Sequence, residues 1–141
     1  MSAVSFIVYT KAEPQGSMRA FSGKAGKVHL TSNNAKMKPY RHTVTQVARM
    51  EMSRRGLTEP MASLHQPVEL YLTFIFRKAP SISKKRIRPV VKPDLDKLQR
   101  ATIDALTGVL FTDDAQVVRV TAEKSYGVTD SVHISARRIE G

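Results

Sequence analysis

Along the chain, Val68, Leu70, Leu72, Phe74 and Phe76 recur at every second position, the spacing of a strand with one buried face. Residues 4–9 form a shorter run of β-branched and aromatic side chains and are expected to be a strand as well. Between the two runs the period changes. Val44, Val47, Ala48 and Met52 follow a helical spacing, so residues 39–55 predict a helix that Gly56 ends. A second helix is expected from Asp94, because Pro93 stops anything helical before it and Asp is a good N-cap. Leu95, Leu98, Thr102, Ala105 and Leu106 form its inner face, and Thr107 with Gly108 closes it. Residues 117–123 and 132–139 alternate again, and the turn-forming segment 126–130 between them predicts a hairpin. Glu13-Pro14-Gln15-Gly16 and the stretch 23–26 read as loop. Pro80, Pro89 and Pro93, with Ser81 and Ser83, make residues 78–93 an irregular, extended loop.

The order is thus β, long loop, α, β, basic loop, α, β, β, with no internal repeat and no linker. In a chain of 141 residues it predicts one α+β domain over residues 1–141, a mixed β-sheet with helices packed against it. The most apolar stretch, residues 70–76, is far too short to span a bilayer, so no membrane partner is expected. No charged, apolar leader precedes the first strand and cysteine is absent, which together predict a cytoplasmic protein without disulfides or thiolate metal sites.

Charge narrows the function. Lys and Arg number 23 against 12 Asp and Glu, a formal net charge of +11, which favours a polyanionic partner. The distribution says more than the total. Five of the six Asp residues, Asp94, Asp96, Asp104, Asp113 and Asp114, fall within 21 residues that hold only two bases, Lys97 and Arg100. The remaining 120 residues carry 21 bases and seven acids, so a strongly basic body surrounds one acidic island. Residues 77–92 contain Arg77, Lys78, Lys84, Lys85, Arg86, Arg88 and Lys92 with no acid, and they run straight into that island. A solvated loop would also explain the run, but its position beside the carboxylates favours a path for a phosphate backbone. A protein that merely coats DNA gains nothing from grouped anions, because each uncompensated carboxylate repels phosphate. A divalent cation resolves the conflict.

Asp94 and Asp96 stand two residues apart where an extended segment enters a helix, and side chains at i and i+2 of an extended segment project to the same side. A helix of about 13 residues, roughly 20 Å long, separates them from Asp113 and Asp114. If these carboxylates converge, they raise one another's pKa unless a cation compensates them. Mg²⁺ suits such a site, being hard, oxygen-seeking and content without His or Cys ligands, and Mn²⁺ is a possible substitute. The chemistry would be phosphodiester hydrolysis. Competing structural readings are plain: Asp94 as a helix cap, Asp113 and Asp114 as an ordinary turn. Asp104 is expected to pair with Arg100 across one helical turn. His29, His42, His65 and His133 are scattered and receive no role.

Lys92-Pro93-Asp94-Leu95-Asp96-Lys97-Leu98, then Asp104-Ala105-Leu106-Thr107-Gly108, then Asp113-Asp114-Ala115-Gln116-Val117, resemble in order and spacing the signature of RusA-like Holliday junction resolvases. Glu13 to Arg19 is similar to that family's N-terminal Pro-x-Gly-x-x-Arg loop, and Lys124-Ser125-Tyr126-Gly127 to its Lys-x-Tyr-Gly. The resemblance implies a RusA-like fold and a homodimeric, Mg²⁺-dependent endonuclease, often encoded by phages and prophages, that acts in DNA recombination and repair. Such enzymes bind four-way DNA junctions and nick two symmetric strands. By position it implies Asp94, Asp96 and Asp114 as catalytic metal ligands, with Asp113 a lesser one, and it implies that they come together. Two positions depart from the family pattern: Lys97 replaces an Asn, and Arg100 stands where a catalytic lysine is usual. An arginine there favours electrostatic stabilisation of phosphate over proton transfer. Arg19, Lys84, Lys85, Arg86, Arg88, Lys92, Lys97 and Lys124 are the expected DNA contacts. Two alternatives remain at this point: a nuclease selective for flaps or forks, and a non-catalytic DNA-binding protein whose acids are structural.

Overall fold

The computed structural model describes residues 3–16, 18–22, 28–32 and 35–139, with only the backbone described for 18–22 and 28–32. Six strands and two helices follow in the order β1 (Ala3–Val8), β2 (Met18–Ser22), β3 (Val28–Ser32), α1 (Met37–Arg54), β4 (Val68–Arg77), α2 (Leu95–Leu106), β5 (Val117–Gly127) and β6 (Ser131–Arg138). Four of the strands form one mixed sheet in the order β1-β6-β4-β5, with β4 parallel to β5 and antiparallel to β6. The α+β expectation is met. Both helices cover one face of this sheet, because the core alternates strictly there: Leu70, Leu72 and Phe74 of β4 lie beside Ala136, Ile134 and Val132 of β6, and all six are essentially inaccessible. Burying each of the larger of these side chains stabilises the fold by about 1.5–3 kcal/mol.

The expected hairpin between the last two strands does not form. β4 lies between β5 and β6, and residues 128–130 pass across its end, where Arg77 N donates to Asp130 Oδ1 at 2.8 Å and Lys78 N donates to the Gly127 carbonyl at 3.2 Å. β4 buries Val68, Leu70, Leu72, Phe74 and Phe76, and pairing on both edges satisfies its backbone inside the core. Gly127 permits the close passage, since a Cβ there would stand 2.5 Å from Ile75 Cγ2. β2 and β3 pair antiparallel, Met18 opposite Ser32, in stretches whose loop composition hid them.

α1 ends in a Schellman arrangement, with Gly56 N donating to the Ser53 carbonyl and Leu57 N to that of Met52, which the positive φ of Gly56 (76°) makes possible. α2 buries Leu98, Ala101, Thr102, Ala105 and Leu106, close to the expected inner face. The Tyr40 hydroxyl of α1 lies 2.7 Å from Thr102 Oγ1, which itself donates to the Leu98 carbonyl, and burial pushes the Tyr40 phenol well above its ordinary pKa. This polar contact fixes the register of the two helices. On the opposite face of the sheet, Glu69 is 2% exposed yet charged. Arg137 and Arg119 hold its carboxylate below the usual range, the latter at 3.0 Å. Among the described residues no helix is long and apolar enough to cross a membrane.

Candidate active site

The basic loop, residues 78–93, is folded back rather than free. Lys78 Nζ donates to the Arg86 carbonyl at 2.7 Å, and Lys124 Nζ on β5 donates to the carbonyls of Val91 and Pro93 at 2.8 and 2.9 Å. Lys124, expected at DNA, therefore anchors the end of the loop and keeps one proton for a phosphate. The anchor sets the position of the next residue, Asp94. Its backbone is extended and its carbonyl accepts the first helical bond, from Leu98 N at 3.1 Å, so it occupies the N-cap position as expected. Its side chain makes no capping hydrogen bond; Lys97 Nζ stands 3.9 Å from its Oδ2. The carboxylate is thus not needed by the helix. It lines a cavity of about 400 Å³ with Lys11, Glu13, Gln15, Lys92 and Lys97. Asp96 follows in the first turn of α2 and is exposed.

Asp113 and Asp114 are placed by Gln116. Asp113 caps a single 3-10 turn, Asp114–Gln116, accepting from Ala115 N at 2.9 Å. Gln116 Oε1 accepts from the backbone N–H groups of Thr112 and Asp113, both at 2.8 Å, and its Nε2 donates to the carbonyls of Ser63 (2.7 Å) and Gln66 (3.0 Å). One buried amide thereby ties the acidic turn to the segment that leads into β4. The bond from Ala115 N, and then that to Asp114, lower the pKa of Asp113. Asp114 is raised, first by its hydrogen bond to Asp113, then by desolvation and by the charges of Asp113 and Asp104. Carboxylates that hinder one another's ionisation are the situation a cation relieves.

Asp114 lines a second cavity, of about 430 Å³, with Gln15, Arg100 and Asp104. The expected Arg100–Asp104 pair does not form: Asp104 Oδ2 lies 3.5 Å from Arg41 Nη1 of α1. A base preceding an acid is the poorer order for an i, i+4 pair, and α1 supplies a competing cation. Arg100 makes no ion pair among the described residues, is exposed, and faces the Asp114 cavity. The two cavities meet at Gln15, whose backbone N donates to the Lys97 carbonyl at 2.9 Å and whose Oε1 is buried without a partner.

Asp94 and Asp114 therefore line neighbouring cavities along α2 rather than one. Among the described residues no three His, Cys, Asp or Glu side chains are grouped as a metal site. The donor chemistry fits a hard cation, all carboxylate and carbonyl oxygen, but the described residues of one chain do not gather it. Lys84, Lys85, Arg88 and Lys92 are exposed and Arg86 is partly so. The side chain of Arg19 lies outside the described residues.

A model of the family of endodeoxyribonuclease RusA matches residues 11–137. The chain belongs to the RusA endodeoxyribonuclease family. The match spans every feature just described, from Gln15 to the β5 anchor Lys124. The chain is also similar to the uncharacterized protein YqaN of Bacillus subtilis (strain 168), 29% identical over 142 aligned residues that cover 99% of each chain. RusA membership makes the basic loop and the acidic turn parts of a DNA-hydrolysing enzyme. Sequence reading placed Glu13, Gln15 and Gln116 in motif segments and gave none of them a role of its own. For Gln116 the signal was present, an Asp followed three residues later by Gln, the capping-box pattern.

Proposed function

We propose that this endodeoxyribonuclease resolves four-way DNA junctions as a homodimer, nicking symmetric strands in a Mg²⁺-dependent reaction during recombination and repair. The observation that carries the reading is the direct continuity of the basic loop with Asp94, next to a second cavity that Asp114 lines together with Arg100, which makes no ion pair among the described residues. Asp94, Asp96 and Asp114 are the ligands, with Asp113 as a lesser one. In a homodimer, carboxylates of two copies are available to complete the group that one chain leaves apart. Two-fold symmetry also matches the two equivalent strands of a junction. Bound Mg²⁺ would supply charge compensation and an activated water, with Mn²⁺ as a substitute.

The chain's own residues do the rest. Lys84, Lys85, Arg86, Arg88 and Lys92 hold backbone phosphates along the loop, Lys97 and Arg19 add contacts, and Lys124 keeps the loop end and Asp94 in place. Arg100, with its planar fork of donors, stabilises charge that grows on the scissile phosphate and leaves proton transfer to other groups. The test is nicking of a mobile four-way junction beside a flap, a fork and a linear duplex of the same sequence. Paired, symmetric nicks in the junction alone support the reading. Equal cutting of flap or fork would reassign the enzyme to a broader structure-selective nuclease, and metal-independent binding without nicks would reduce it to a DNA-binding protein.

A further inference from the structure

A third cavity, of about 360 Å³, lies under the basic loop and holds none of the carboxylates assigned to the metal. It adjoins the Asp94 cavity, sharing Lys11, Lys92 and Pro93 with it. Arg77, Arg86 and Lys124 add positive charge, while Phe76, Ile82 and Val91 give it an apolar lining. Asp130 is the one carboxylate on its wall, and its Oδ1 is already engaged by Arg77 N at 2.8 Å. The deciding feature is Tyr126, whose hydroxyl is buried without a hydrogen-bond partner while its ring carries Lys78 Nζ at 5.5 Å from the centroid. Of the residues that hold such an atom among those described, Tyr126 is the one that lines the cavity. A ligand group that reaches this hydroxyl would supply the partner it lacks.

We propose that this cavity takes one unstacked nucleotide of the DNA, its phosphate among the cations and its base against Tyr126. Charge alone would suit any anion. The apolar lining, the polar tip of Tyr126 and a volume within the range of small-molecule sites select a planar body with a polar edge. At the branch point stacking is interrupted, which lowers the cost of taking a nucleotide out of the helix. The inference rests on the reading that the strand to be cut passes Asp94, because the shared wall then delivers a neighbouring nucleotide to the cavity.

The experiment titrates the isotope-labelled full chain with a 5′-phosphorylated thymidine dinucleotide in EDTA, following backbone amide signals, beside inorganic phosphate and the unphosphorylated dinucleotide. The expected result is saturable shifts at Tyr126, Gly127 and residues 78–92, with affinity at least about tenfold tighter than for inorganic phosphate. Tyr126→Phe, which removes one hydroxyl, should weaken binding about fivefold, the worth of one net hydrogen bond. Ile82→Glu, on the loop, should weaken it more by setting an acid among the cations. Inorganic phosphate binding as tightly as the dinucleotide, or both variants binding like wild type, overturns the proposal. If wild type binds the dinucleotide this way yet nicks no DNA, the cavity stands and the junction-cutting reading falls.

Discussion

Gln116→Met is the sharpest perturbation of the link between fold and site, because it keeps the length of the side chain and removes only its polar atoms. Four hydrogen bonds disappear: two accepted from Thr112 N and Asp113 N, two donated to the carbonyls of Ser63 and Gln66. At about 0.5–1.5 kcal/mol net for each, the loss spans roughly 2–6 kcal/mol. These groups are only part-buried and water reaches some of them, so the lower half applies, about 3 kcal/mol, or roughly 10 °C in melting temperature for a domain of this size. Urea unfolding with an unchanged m-value measures the first quantity. Amide exchange at Ala115 should quicken beyond what the global loss explains, since the Asp113 cap opens with the turn. Nicking of branched DNA should fall even at temperatures where the variant stays folded. A change in stability below about 0.5 kcal/mol, with nicking at the wild-type rate, would refute the role given to this amide.

Arg100→Gln should cut nicking about a hundredfold while altering junction affinity little, measured as single-turnover rate against binding in EDTA. Lys124→Met removes both bonds that close the basic loop, and limited proteolysis within residues 78–93 should accelerate as nicking falls; a loop equally resistant in the variant would count against the anchor. If roughly six phosphates are neutralised, affinity for DNA should drop by about 10³ over a fourfold rise in salt, and a flat response would contradict loop binding. Glu69 has a lowered folded-state pKa, so its pairing with Arg137 and Arg119 stabilises fully above the unfolded value of about 4.3 and is lost as pH falls through the folded value. The gap in melting temperature between wild type and Glu69→Gln should therefore be widest near neutrality and close in acid, and a gap that is constant from neutrality into acid would contradict this.

Element types were legible where a residue pattern has one physical cause. Period-two alternation marked β4, and proline followed by an apolar helical stripe marked α2 to within a residue. Partners were not legible, because alternation states which face is buried and is silent on which edge pairs. The same Val132, Ile134 and Ala136 would serve a hairpin with β5 or, as found, a ladder with β4. The β2–β3 hairpin was masked by glycine and polar composition. In the site, charge clustering identified the acidic residues, whereas their division between two cavities depends on how β5 lies along α2, which no local pattern encodes. Asp94 shows the limit most clearly. Its sequence position suits a cap, and only the structure reveals that its carboxylate caps nothing.

The proposed reaction is the cutting of branched DNA at this acidic turn and loop end with the help of a divalent cation. Its most direct test is a labelled four-way junction incubated with the purified protein in Mg²⁺, in Mn²⁺ and in EDTA, beside Asp114→Asn. Wild type should give paired nicks that vanish in EDTA, and the variant should bind the junction with near wild-type affinity but not cut it. Nicking by Asp114→Asn at the wild-type rate, or none by wild type in either metal, would contradict it.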